Sequence, residues 1–212
     1  MFATVTHMIP AATGAPATLP AFPVPDDLCD AVGTDHLPRG RTLHCTGDAC
    51  LSLALALVAP ATRLGAWLAV VGIPSLGAQA AAEQGVALER TIFVHPPTGG
   101  TEWAASLAAL VEGFDVALVG AAPSVSSTHV RRLQARVQAR RALLVVVDVA
   151  AAWPGARPVA PWVAPDLVLR ATTRAWEGLE QGGGHLRRRQ VALRVEGRRA
   201  GPPREHLLWR PA

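Results

Sequence analysis

The chain has 212 residues, is 50% hydrophobic and 17% charged, and carries twenty basic residues against sixteen acidic ones for a net charge of +4. That length can bury one sizeable core with a tail, and three irregularly spaced cysteines (Cys29, Cys45 and Cys50) exclude a cystine-stapled secreted domain and point to a reducing cytoplasm. Every basic residue is arginine; lysine is absent, which excludes a lysine-dependent phosphate site, and the bias matches a GC-rich genome.

Residues 1–25 carry prolines at 10, 16, 20, 23 and 25, so a regular helix is excluded and an extended or disordered leader is expected, running on to residue 32. No basic stretch precedes an apolar core there, so no signal peptide is expected. Within the leader, Asp26–Val32 suits a helical turn that brings Leu28 and Val32 onto the core. A single domain is expected over residues 33–212.

Arg41–Cys45 reads as the first strand and Ala49–Val58 as an apolar helix. The apolar run from Leu51 to Pro74 is broken by Pro60, Arg63 and Gly65, so it reads as a buried helix, a turn and a strand at Ala66–Val71, not as a membrane span. A helix over 76–85, a strand at Thr91–Val94, a helix from Thr101 to about Glu112 with Thr101 as its cap, and a strand at Val116–Val119 follow. The helix Ser127–Arg140 repeats Val130, Leu133 and Val137 at helical spacing, with Arg131, Arg132, Arg136 and Arg140 on the other faces and solvated. Leu143–Val149 is continuous and β-branched, as a doubly buried parallel strand would be. Alternating strands and helices therefore predict an α/β fold, a mainly parallel sheet flanked by helices. Residues 150–164 read as a loop, and Asp166–Ala171, His185–Val195 and His206–Trp209 as strands of an antiparallel C-terminal extension, with Gln181–Gly184 as a hairpin connection.

The organising stretch is Leu37–Leu57, where a turn, a strand, the loop Thr46-Gly47-Asp48 and an apolar helix succeed one another in the layout of a phosphate-cradling loop. Its chemistry is missing: the lysine that would reach the β and γ phosphates is absent, and Asp48 puts a negative charge where phosphate would sit. His44-Cys45 with Cys50 offers half a metal site, with no second ligand pair at metal spacing elsewhere, so the cysteines read as small buried side chains. Ser124, Ser126, Ser127 and His129, with Asp148, lack the G-x-S-x-G elbow of a hydrolase and read as a loop leading into a capped helix.

In its order of segments the chain resembles the RecA-type recombinase core. Gly33-Thr34-Asp35-His36-Leu37-Pro38-Arg39-Gly40-Arg41 is similar to the G-G-L-P-x-G-R lead-in to the first core strand. Gly85-Val86-Ala87-Leu88-Glu89-Arg90 is similar to the G-V-D segment before the third, with Ala87 for its aspartate. Phe114–Val119 resembles the V-D-V-I-V-V strand, and Arg189–Val195 the late R-V-K-V-V strand. Against that family, Gly120 replaces the magnesium-binding aspartate and Pro74 stands where the water-activating glutamate belongs. Gly65–Gly77, Ala80–Val86 and Leu207–Pro211 further resemble the ImuA group, in its actinobacterial ImuA-prime type.

The resemblance implies a RecA-like core with a degenerate nucleotide site, no cofactor and no enzyme activity. It implies a cytoplasmic accessory of SOS mutagenesis and translesion synthesis that binds RecA and an inactive Y-family polymerase homologue of ImuB type. Through that homologue it would reach the β clamp and an alternative replicative polymerase. The alternatives are a SulA-like division inhibitor binding FtsZ and a residual ATP-binding protein. Surface candidates for a partner or a DNA contact are Trp153, Arg157 and Trp162, where the recombinase core carries a DNA-binding loop, and Arg187, Arg188 and Arg189, which with Arg194, Arg198 and Arg199 form the densest basic cluster, a solvated face or a site for an acidic partner or nucleic acid. On a strand Arg187 and Arg189 would share one face and Arg188 take the other.

Overall fold

The computed structural model describes residues 19–120, 125–148, 165–180 and 183–211. Most of the expected leader, Ser124, the whole of 150–164 with Trp153, Arg157 and Trp162, and the Gln181–Gly182 connection lie outside the described residues. The first elements are β1 (Ala21–Pro23), α1 (Asp26–Val32), β2 (His36–Pro38), β3 (Arg41–Thr46), α2 (Cys50–Arg63) and β4 (Leu68–Val71). There follow α3 (Ala78–Glu83), β5 (Thr91–Val94), α4 (Gly100–Gly113), β6 (Val116–Val119), α5 (Ser127–Arg140) and β7 (Leu143–Val147). The chain closes with β8 (Leu167–Glu180), β9 (Gly183–Glu196) and β10 (Arg204–Pro211).

Eight strands make one sheet in the order β10-β9-β8-β3-β7-β6-β4-β5, and β1 pairs with β2 separately. From β8 to β5 the pairs are parallel; β8–β9 and β9–β10 are antiparallel. This is the expected α/β architecture with its antiparallel C-terminal extension. Strand period two explains the layering. Leu143, Val145 and Val147 of β7, with Leu68 and Val70 of β4, face the core under α1 and α2. Leu144 and Val146, with Ala69 and Val71, face a second core under α4 and α5. Doubly buried strands read as unbroken apolar runs for this reason.

Several elements depart from the sequence reading. Leu19 and Phe22, assigned to the leader, pack on the first core, Phe22 fully buried, and α1 buries Leu28 and Val32 as expected. The helix expected to stop at Val58 runs on through Pro60 to Arg63. A helical proline costs about 3 kcal/mol through its missing N–H and the clash with the preceding turn. Here Ala59, Ala61 and Thr62 are buried on either side of it, and burial outweighs local propensity. Thr101 is not the cap of α4: Gly99 holds that position in extended backbone without a side-chain bond. The largest difference is β8, expected to end at Ala171 but continuing to Glu180 as the first arm of a long hairpin with β9. None of the helices among the described residues is long and apolar enough to cross a membrane.

One buried ion pair ties remote segments together. Arg39 donates through Nη2 to Asp115 Oδ1 (2.7 Å), through Nε to the Arg141 carbonyl (2.7 Å) and through Nη1 to the Leu19 carbonyl (3.2 Å). Its guanidinium lies 4.8 Å from the Phe22 ring centroid, and Asp115 Oδ2 accepts the Trp67 N–H at 3.1 Å. Side-chain exposures of 9% and 6% mean that removing one partner strands a buried charge. Asp115→Ala is therefore expected to lower the unfolding free energy by about 3–5 kcal/mol, read from the urea midpoint at constant m-value.

Candidate functional site

Because β3 lies between β7 and β8, its last residues emerge at the carboxyl end of the parallel strands, where open α/β sheets place their ligands. Only Gly47, Asp48 and Ala49 separate β3 from α2. A G-x-x-x-x-G-K-[ST] loop uses a longer backbone to wrap phosphate oxygens in N–H groups. Here that space belongs to β8. Gly47 has φ +92°, a left-handed conformation, and a Cβ on it would collide with the Ala171 carbonyl of β8. The same carbonyl accepts the Ala49 N–H at 3.2 Å, and the Cys50 N–H turns back to the Gly47 carbonyl at 3.2 Å.

Asp48 reaches across the turn: its Oδ1 accepts the Thr173 N–H of β8 at 2.9 Å. Burial pushes its carboxyl up, but the Thr173 bond and nearby Arg189 outweigh that and hold it below the usual carboxylate range. Arg189 itself reaches Ser52 Oγ on the first turn of α2. The loop is thus sealed by the chain's own polar groups.

The neighbouring positions are filled in the same way. Cys45 and Cys50 are fully buried, and the Cys50 thiol, pushed up to about 12 by burial and then by Asp148, donates to the Asp148 carbonyl at 3.3 Å. Strand alternation turns His44 away from Cys45, so the residues of the half metal site do not converge. Burial lowers the His44 pKa, with Arg170 adding to the effect and Asp148 opposing it. At the end of β6, the Gly120 N–H donates to the Val71 carbonyl at 2.9 Å. A Cβ there would lie 2.6 Å from Ile73 Cγ1 and 2.7 Å from the Gly72 carbonyl oxygen, so an aspartate would force that backbone apart. Pro74 is exposed beyond the end of β4.

The structure resolves the other sequence candidates into different settings. Ser126 caps α5, accepting the His129 N–H at 3.3 Å and lying 3.1 Å from His129 Nδ1. Arg188 pairs with Glu177 at 2.5 Å and stands 4.7 Å over the Trp209 ring. Arg189 stands 5.5 Å over Trp176, while Arg187 is exposed on the same hairpin. Arg188 and Arg189 are therefore brought against two half-exposed tryptophans, neither of them among the sequence candidates. Trp209 lay in a strand that was read, and the β-forming run Thr172, Thr173 and Trp176 was the available signal for the other.

The family model of the MT3502 N-terminal domain matches residues 30–155. The uncharacterized protein Rv3395c of Mycobacterium tuberculosis (strain ATCC 25618 / H37Rv) is 33% identical over 123 residues, 58% of this chain and 58% of that protein. The alignment thus spans less than two thirds of that relative. The crystal structure of the RadB recombinase superposes with a TM-score of 0.55 at 15% identity, covering 85% of this chain and 92% of that one. That likeness shows a RecA-like fold.

Two outcomes follow from the sealed turn. Gly47→Ala must clear the Ala171 carbonyl at positive φ, so its urea midpoint is expected to fall, by about 1–3 kcal/mol in free energy. Because the Asp48 carboxyl is held below its unfolded value of about 3.9, the stability it contributes is full above that pH and is lost as pH falls through the folded value. The stability gap between the native chain and Asp48→Asn is expected to stay level from pH 7 to 5 and close on further acidification, measured by urea unfolding at each pH.

Proposed function

The chain belongs to the MT3502 N-terminal domain family, and from that premise we propose that it is a non-catalytic RecA-like adaptor of the ImuA-prime type. It acts in damage-induced mutagenic translesion synthesis in the cytoplasm. It binds RecA and an inactive Y-family polymerase homologue of ImuB type, which links it to the β clamp and an alternative replicative polymerase.

The observation that carries this reading is the three-residue turn between β3 and α2, closed onto Ala171 and Thr173 of β8. Phosphoryl transfer needs a phosphate cradle with its ammonium, a magnesium carboxylate and a group that orients the attacking water. In the corresponding places this chain has a backbone-filled turn with no lysine, a glycine packed on the Gly72 carbonyl, and an exposed proline. A RecA-like fold without that apparatus keeps large surfaces for protein partners.

Purified protein is expected to retain RecA and the polymerase homologue at micromolar concentrations and to give no magnesium-dependent ATP turnover above a protein-free blank. Failure to retain either partner removes the adaptor reading. Turnover that disappears on changing Thr46 or Asp48 replaces it with a working nucleotide site.

A further inference from the structure

At the opposite end of the sheet from the sealed turn, Asp166 stands just before β8 and is 9% exposed. Its Oδ2 accepts the Thr42 N–H at 3.0 Å. Its Oδ1 lies 3.7 Å from Arg41 Nη1, 3.6 Å from Arg198 Nη2 and 3.2 Å from Arg199 Nε. Three guanidinium groups against one carboxylate leave two positive charges uncompensated. Elsewhere Arg174, Arg188, Arg194 and Arg210 have Glu205, Glu177, Glu196 and Asp27 as partners, one acid to one arginine, and Glu112 is shared by Arg136 and Arg140 on an exposed helix face.

The surplus charge borders a concave space. A cleft of about 310 Å³ is lined by Arg41, Asp166, Arg199, Arg204, Thr34 and His36, among others. Arg204 is fixed there by its Nη2 bonds to the carbonyls of Ala200 (3.0 Å) and Val32 (3.4 Å), and its buried Nε has no hydrogen-bond partner among the described residues. The side chains of Arg198 and Arg199 are 62% and 56% exposed, so both can turn a fork of N–H donors outward while keeping contact with Asp166. Asp35, between the lining residues Thr34 and His36, pairs with His36 at 3.1 Å.

We propose that this cleft binds phosphate oxyanion and that its source is the backbone of a nucleic acid. Guanidinium forks match tetrahedral oxyanions through paired N–H bonds, a geometry that a point charge does not supply. The cleft admits a phosphate with its sugar, whereas the convex face of a folded acidic protein would stay outside it. Among the described residues that line it none is Phe or Trp, so the contact is argued from phosphate alone and is independent of sequence. The site is separate from the β3–α2 turn, and its chemistry does not depend on the adaptor role.

The experiment is fluorescence anisotropy of a labelled 20-nucleotide single strand titrated with the full chain at several salt concentrations. Arg198→Ala/Arg199→Ala is expected to weaken binding at least tenfold and to reduce the slope of log K against log salt by about 1–2. Arg131→Ala/Arg132→Ala on the exposed face of α5 changes net charge equally and is expected to keep the native affinity. Inorganic phosphate and a mononucleotide serve as competitors. Displacement at millimolar concentration or below would keep the phosphate site but overturn the backbone as its source, and resistance to displacement supports the backbone. Native-like binding by the Arg198/Arg199 variant, an equal loss in the Arg131/Arg132 variant, or no oligonucleotide binding by the native chain at low salt overturns the proposal.

Discussion

The parallel pairing of β8 with β3 is the constraint from which the other features follow. Its register sets Leu43 opposite Leu167 and Thr46 opposite Arg170. Ala171 and Thr173 are thereby carried past the end of β3, where one supplies the carbonyl that packs under Gly47 and the other the N–H that holds Asp48. At the other end the same register puts Asp166 beside Thr42, within reach of Arg41. Sliding β8 by one residue would turn Leu167, Leu169 and Ala171 out of the core, so the register is fixed by burial.

Burial is unevenly shared between the two faces. The face under α1 and α2 is apolar across the sheet from β4 to β9, while the second core under α4 and α5 draws its buried strand residues from β4, β6 and β7, with Ile92 and Val94 of β5 packed against it. By strand alternation β3 and β8 turn Thr42, His44, Val168, Arg170 and Thr172 to that second face. The Arg39–Asp115 pair stitches the turn before β3 to the start of β6 and the end of α5, joining regions that the hydrophobic layers alone would leave free to slide. Buried pairs of this kind cost desolvation and return it as a defined arrangement.

Much of the fold was legible in the chain. Val116–Val119 and Thr91–Val94 form as read, and Ser127–Arg140 has the expected bounds because its apolar residues recur at helical spacing behind a serine cap. Pro60 misled because local propensity amounts to a few kcal/mol at most and burial around α2 outweighs it, whereas Thr101 misled because α4 starts earlier, from Gly99 in extended backbone without a side-chain cap. The candidate loop was recognisable from its glycine and flanking apolar runs, and the absence of lysine could be read directly. Its occupancy by β8 could not, since Asp48 and Thr173 are 125 residues apart and leave no periodic trace.

Composition and local pattern by themselves determined that this is an α/β chain with a mainly parallel sheet, an antiparallel C-terminal extension and a phosphate-loop layout lacking its ammonium. Tertiary structure decided what fills that layout and what gathers around Asp166. The reason is physical: a strand's periodicity records which of its faces is buried, whereas the neighbour it pairs with, and in which register, is set by contacts between residues more than a hundred positions apart.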